Sequence, residues 1–193
     1  MADSNITKHA LAASLRTLME EHPFEKITVA QICEQCGINR KSFYYHFKDK
    51  YDLVNWIFDS DLVALTMSDI DLNDADNMWR LLKTLGDYFY ENRDFYRKAF
   101  QIKGQNSFAD HFRELSQPLF KNRLAALVGE ENTDEFVLDF FTDASLSALE
   151  RWLTAKECVP PEQVVDRLHF LVQRSTAALL EEAGQNPVLP ERK

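Results

Sequence analysis

Apolar residues in this chain return at intervals of three and four along almost its whole length, and no run alternates apolar with polar residues as a half-buried strand does. That periodicity predicts an all-α fold of about nine helices. The first, about residues 4–21, carries Ile6, Ala10, Leu11, Leu15, Leu18 and Met19 on one side and stops before Pro23. In the segment FEKITVAQICEQCGINRKSFYYHF, Thr28 is placed to cap a short helix whose apolar face is Val29, Ile32 and Cys33. Gly37 supplies the backbone freedom of a tight turn, and Asn39 caps a second short helix. Two helices of about two turns each, joined through a glycine and braced by a longer one before them, form the pattern of a helix-turn-helix.

A long helix is expected from about Asp49, fading into the polar SDIDLNDAD. Further helices are expected at about 75–91, 93–103 (ended by Gly104), 107–128 (kinked or split by Pro118), 136–156 and 163–183, with a frayed tail, GQNPVLPERK. The resulting division is a helix-turn-helix domain over residues 1–50 and a larger helical ligand-binding and dimerisation domain over 51–193.

The formal charge is −9, but it is unevenly spread: residues 1–50 hold seven Lys/Arg against six Asp/Glu, and the remainder fifteen against twenty-five. An acidic total argues against indiscriminate binding to nucleic acid, whereas a local basic patch still acts within a screening distance of roughly 10 Å. Such a patch exists in GINRKSFYYHFKDK, where Arg40, Lys41, His46, Lys48 and Lys50 surround two tyrosines with Asp49 as the sole acid. A helix-turn-helix lays the start of its second helix against base edges in the major groove of double-stranded DNA, and here that start is Asn39, Arg40, Lys41 and Ser42. Arginine can donate two parallel hydrogen bonds to guanine, so Arg40 is the first candidate for sequence reading. Tyr44 shares its face, while Phe43 and Phe47 form the opposite, inward face. Ser42, Tyr45, His46, Lys50 and Thr28 are candidate phosphate donors, as are the backbone N–H groups near Asp49. The competing reading is a solvated, charged helix on a small three-helix subdomain.

These residues carry a resemblance. ITVAQICEQCGINRKSFYYHFKDKYDLV is similar to the N-terminal signature of the TetR family of bacterial transcription regulators, with Tyr44, His46, Phe47, Lys50 and Leu53 at the signature's spacing. Cys33 and Cys36 stand where alanines are usual and Lys41 where glycine is common. ITKHALAASLRTLM, NWIF, ENRDFYRKAF and GQNSF further resemble a branch labelled dihydroxyacetone kinase regulators. The resemblance implies a homodimer paired through C-terminal helices, a pocket for an unidentified small-molecule effector, and repression relieved when the effector changes the spacing of the two reading heads.

For the effector, the expected cavity is lined by some of Trp79, Tyr88, Tyr96, Phe112 and Phe141, since bundles place mainly apolar pockets between helices; ordinary core packing is the alternative for each. For self-association, Val164, Leu168, Leu171, Ser175 and Ala178 repeat at alternating steps of four and three. Ala144 and Ala148 keep the preceding helix slim, and Phe140, Trp152 and Leu171 are expected at the centre of a four-helix interface. Packing within one chain satisfies the same pattern.

Other chemistry finds little support. Cys33 and Cys36 form a C-x-x-C without a second pair, which reads as packed core and not as zinc or redox chemistry. Asp166/His169 and His111/Glu114 lie three apart, but the set a di-metal bundle requires cannot be assembled. No phosphate-cradling loop or G-x-S-x-G occurs. The expectation is no enzyme, no metal and no cofactor. With no signal segment, no membrane span and an odd three cysteines, the chain is expected to be cytoplasmic with reduced thiols. It reads as a regulator, more in the manner of a ligand-responsive repressor on a palindromic operator. An activator working through a partner, or an interaction module that has lost DNA binding, are the alternatives.

Overall fold

The computed structural model describes residues 2–66, 75–104, 107–129 and 133–183, and among these there is no strand. The helices are α1 (Ala2–Glu21), α2 (Val29–Cys36), α3 (Arg40–His46), α4 (Lys50–Thr66), α5 (Ala75–Glu91), α6 (Arg93–Phe100), α7 (Phe108–Val128), α8 (Glu135–Thr154) and α9 (Pro161–Ala183), with a 3-10 turn at Phe24–Lys26. Residues 67–74 of the polar loop and the tail from Gly184 lie outside the described residues.

Local chemistry sets the punctuation of the first four helices. Thr28 and Gln31 form a reciprocal capping box at the start of α2, with Gln31 N donating to Thr28 Oγ1 and Thr28 N to Gln31 Oε1. Gly37 ends α2 at φ +68°, ψ +20°, and a Cβ there would meet nothing within 4 Å; the backbone angle, not crowding, asks for glycine. Asn39 Oδ1 accepts from Ser42 N at 2.8 Å and opens α3. Asp49 Oδ1 accepts from Tyr51 N and Asp52 N, while Lys48 N donates to Asp52, opening α4.

Leu11, Leu15 and Met19 of α1, Ile32 and Cys33 of α2, Phe43 of α3 and Leu53 and Val54 of α4 are buried together. This core continues without a break through Ile57 and Phe58 into Phe89, Tyr96, Phe100 and Phe108, so α4 serves both halves. The division drawn at residue 50 falls at the first residue of α4 and not at a gap in the packing.

Pro118 does not split α7, which runs as one helix from Phe108 to Val128. A proline removes one N–H from the ladder, and α7 is held on the N-terminal side of it by side chains: Arg113 donates to Asp139 and Asp143 of α8, and Gln117 donates to Asp139. α9 begins at Pro161, two residues before the expected start, because proline fits the first helical position. It packs on α5, where a Cβ on Gly86 would come within 3.2 Å of Pro161 Cβ.

Candidate nucleic-acid interface and the surfaces around it

The seven residues of α3 separate into two faces. Phe43 is fully buried and packs against Phe47 at 5.8 Å between ring centroids, and Phe47 in turn meets Trp56 of α4 at 5.6 Å. On the other side Arg40, Lys41 and Tyr44 are exposed, and Tyr45 is 82% exposed with its ring edge-on to His46 at 4.9 Å. Among the described residues no ion pair engages Arg40, Lys41 or Lys48. Exposed phenols beside unneutralised cations cost apolar exposure and charge repulsion in the free protein, and a phosphate lattice relieves both.

Two expected phosphate donors are otherwise engaged. Lys50 Nζ donates to three backbone carbonyls, Phe24 O at 2.7 Å, Ile27 O at 2.8 Å and Glu25 O at 3.3 Å, and sits 4.3 Å from the Phe24 ring centroid. An ammonium has three protons, and three carbonyls of the 3-10 turn and its C-cap are in reach of them, so in the free chain Lys50 anchors that turn. Burial lowers its pKa, with Glu25 opposing. Thr28 is spent on its cap, its hydroxyl donating to Gln31 Oε1 at 2.8 Å. The N–H groups expected to meet phosphate near Asp49 are likewise taken up by the Asp49 carboxylate. Asn39, Arg40, Lys41, Ser42, Tyr44, Tyr45 and His46 remain together along or beside one exposed edge. Of the two cysteines of the C-x-x-C, Cys33 is buried, with its thiol pKa raised chiefly by burial and then by Cys36, and Cys36 Sγ donates to Ile32 O.

Of the five aromatics from which a cavity lining was expected, Tyr88, Tyr96 and Phe112 are brought together and Trp79 and Phe141 are not. Tyr96 is fully buried and Tyr88 and Phe112 half-buried in a dense cluster with Phe58 and Phe89. Trp79 instead lies against His169 of α9 at 4.2 Å, and Phe141 is exposed on the outer side of α8. Helical spacing assigns a residue to a face of its own helix; it does not say which helix lies opposite.

Within the cluster the hydroxyls find partners that sequence reasoning missed. Tyr88 donates to Asp61 of α4 and shares a hydrogen bond with Tyr96, while Arg16 of α1 donates to Asp61 and, at 3.2 Å, to Asn92. Arg16 also stacks 4.6 Å over Phe95, and Lys98 of α6 donates to Met19 O and Glu20 O at the end of α1. These groups bolt the first helix to the larger half. Burial first, then Asp61, pushes the Tyr88 phenol well up, and burial first, then Tyr88, raises Tyr96.

The outer face of α8 and α9 is apolar and uncovered. Phe136 is 74% exposed, Phe140 60% and Leu171 60%, with Leu168, Phe141 and Phe170 also exposed and Ala144 and Ala148 on the same side of α8 as Phe140. Trp152 does not belong to this face: its Nε1 donates to Val159 O and its ring stacks parallel to Tyr90. Val164 is half-buried, and the side chains of Ser175 and Ala178 lie outside the described residues.

Family models match both halves. One described as "Bacterial regulatory proteins, tetR family" covers residues 11–57, and one described as "Transcriptional regulator C-terminal region" covers residues 76–174, half of the chain. The chain belongs to the tetR family of transcription regulators. Members of this family are regulators and not enzymes, which accords with the all-helical architecture and the helix-turn-helix at its start. Two tetR relatives bracket it. An "HTH-type dhaKLM operon transcriptional activator DhaS" of Lactococcus lactis subsp. lactis is 32% identical over 102 residues, a match that spans about half the length of each protein, 53% of either chain. The "HTH-type transcriptional regulator EthR" of Mycobacterium tuberculosis is 24% identical over 192 residues, covering 95% of this chain and 79% of that one. A solved "Dihydroxyacetone kinase operon activator DhaS" superposes with a TM-score of 0.61 at 21% identity, over 90% of this chain and 97% of that chain, and shares the fold. No described helix is long and apolar enough to cross a membrane.

Proposed function

We propose that this tetR-family chain binds a palindromic DNA operator as a homodimer, with α3 of each copy as the reading helix. The observation that carries the reading is the exposed flank of Arg40, Lys41, Tyr44 and Tyr45, anchored from behind by buried Phe43 and Phe47. Arg40 reads guanine with its two-pronged donor, Lys41 and Asn39 contribute to base or backbone contacts, and Ser42, Tyr45 and His46 hold phosphates. Residues 1–50 act as the head, and 51–193 carry dimerisation and effector response.

The second copy is expected on the α8–α9 face. Phe136, Phe140 and Leu171 leave an apolar surface that a monomer has no reason to keep, and two-fold symmetry puts the same surface on both partners. One seven-residue helix makes too few base contacts for specificity. Two, about 34 Å apart or at a multiple of that, read symmetric half-sites.

Repression relieved by an effector is one mode of action. Activation is the second, favoured by the names of the Lactococcus relative and of the solved neighbour, both called activators of a dihydroxyacetone kinase operon. Selection of bound duplexes from a random pool tests the core of the proposal. A two-fold symmetric consensus is expected; enrichment of a single half-site, or of nothing, contradicts it.

A further inference from the structure

Outside the reading head, a second concentration of positive charge sits at the corner where α6 begins and the α8–α9 connection passes. A depression of about 190 Å³ is lined there by Tyr90, Arg93, Asp94, Arg97, Lys156 and Cys158 over the buried side chain of Leu153. Arg93 and Arg97 are four apart on α6 and share a face, and Lys156 approaches from the connection. Asp94 is the one acid in the lining and stands 3.5 Å from Arg97. Three cations against one carboxylate leave an excess of two positive charges in a protein whose total is −9.

The arginines are not loose. Arg93 lies 5.2 Å over the Tyr90 ring and donates to Tyr90 O at 3.3 Å, and Tyr90 is backed by Trp152 in a nearly parallel stack at 6.3 Å. Burial raises the Cys158 pKa while Arg93 works against it, so the thiol is neutral near pH 7 and adds no negative charge to the lining.

We infer that this depression binds a small dianion, the phosphate group of a phosphorylated metabolite of a few carbons. Guanidinium forks match phosphate oxygens two at a time, and a phosphate monoester is mostly doubly charged at neutral pH, which balances the excess. The volume lies below the roughly 300–1,000 Å³ of drug-sized pockets, which suits a compact group such as a phosphate. The position adds consequence: α6 holds α1 through Lys98 and carries the Phe95 ring on which Arg16 stacks, so an anion on the outer side of α6 bears on the helix that grips the head.

The test is calorimetric titration of the full chain, without DNA, by inorganic phosphate, by glycerol 3-phosphate and by glycerol. Saturable binding of an anion with half-saturation at or below ~1 mM is expected, with glycerol inert. Arg93→Gln and Lys156→Gln, at exposed positions, each weaken it about tenfold, the scale of one charged hydrogen bond, while Lys121→Gln at an exposed position of α7 outside the depression changes nothing. Tighter binding of the ester than of phosphate identifies a metabolite, and the reverse identifies free phosphate. No saturation by about 10 mM, or an equal loss in Lys121→Gln, overturns the inference. Because no DNA is present, neither result bears on operator binding.

Discussion

The head and the outer α8–α9 face both present large aromatic side chains, and they use them in opposite ways. In the head, Phe43 and Phe47 are buried and Tyr44 and Tyr45 are exposed, so the chain divides apolar from phenolic side chains within one short helix. On α8 and α9 it is phenylalanine and leucine that face outward. A phenol at a surface can donate to a phosphate oxygen, whereas a benzyl group cannot; exposed tyrosine fits a polar partner and exposed phenylalanine an apolar one. The chemistry of what is left uncovered thus separates the surface proposed for DNA from the surface proposed for a second copy.

The sharpest contrast is between Phe43→Ala and Phe140→Asp. Truncating a fully buried phenylalanine costs roughly 3–5 kcal/mol, so Phe43→Ala is expected to unfold the head in chemical denaturation. Phe140→Asp touches no core, and its expected effect is to shift sedimentation from dimer to monomer while helical content stays unchanged. If Phe140→Asp leaves the dimer intact, the outer face has been misassigned.

Lys50 sharpens the boundary of the reading surface. Its ammonium serves backbone carbonyls, so Lys50→Ala is expected to lower head stability by about 1.5–3 kcal/mol and to leave the salt dependence of DNA binding unchanged in slope. A slope reduced by about one, with stability intact, would return Lys50 to the phosphate contacts.

The smallest expected effect concerns the junction between head and body. Tyr88 and Tyr96 have folded pKa values raised by burial above the ordinary phenol value near 10. A raised phenol keeps its proton in the folded state while the unfolded state releases it, so this contribution to stability is present below about pH 10 and is lost as pH rises above it. Tyr88→Phe is expected to flatten the fall of Tm between about pH 10 and 11. An unchanged profile contradicts the burial of that hydroxyl.

How much of this was legible in the sequence depended on how local the signals are. Thr28, Gly37 and Asn39 each announce themselves within four residues, because caps and left-handed turns are short-range hydrogen-bond problems, and the two head helices follow from them. The partition of Phe43 and Phe47 from Arg40 and Tyr44 is equally short-range. The carbonyl partners of Lys50 lie 23 to 26 residues upstream, and nothing in the spacing of FKDK points to them. Arg16, Asp61, Asn92 and Lys98 were missed for the same reason: each is an ordinary polar residue on its own helix and becomes a tie only when α1, α4, α5 and α6 meet. Phe141 is exposed and Trp152 half-buried with its Nε1 on Val159 O, since a helix packed on two neighbours buries more than its periodic stripe.

The claim on which the rest depends is that the exposed flank of α3 reads bases, and it is tested most directly by comparing Arg40→Ala with Lys48→Ala on the selected operator, its single-base variants and random duplex. The account predicts that Arg40→Ala loses about 1–3 kcal/mol of discrimination at one base pair of each half-site. Lys48, exposed just beyond α3, is proposed as a phosphate contact, so Lys48→Ala should instead weaken every duplex alike and reduce the salt slope by about one. Identical losses from both substitutions on all sequences would contradict it.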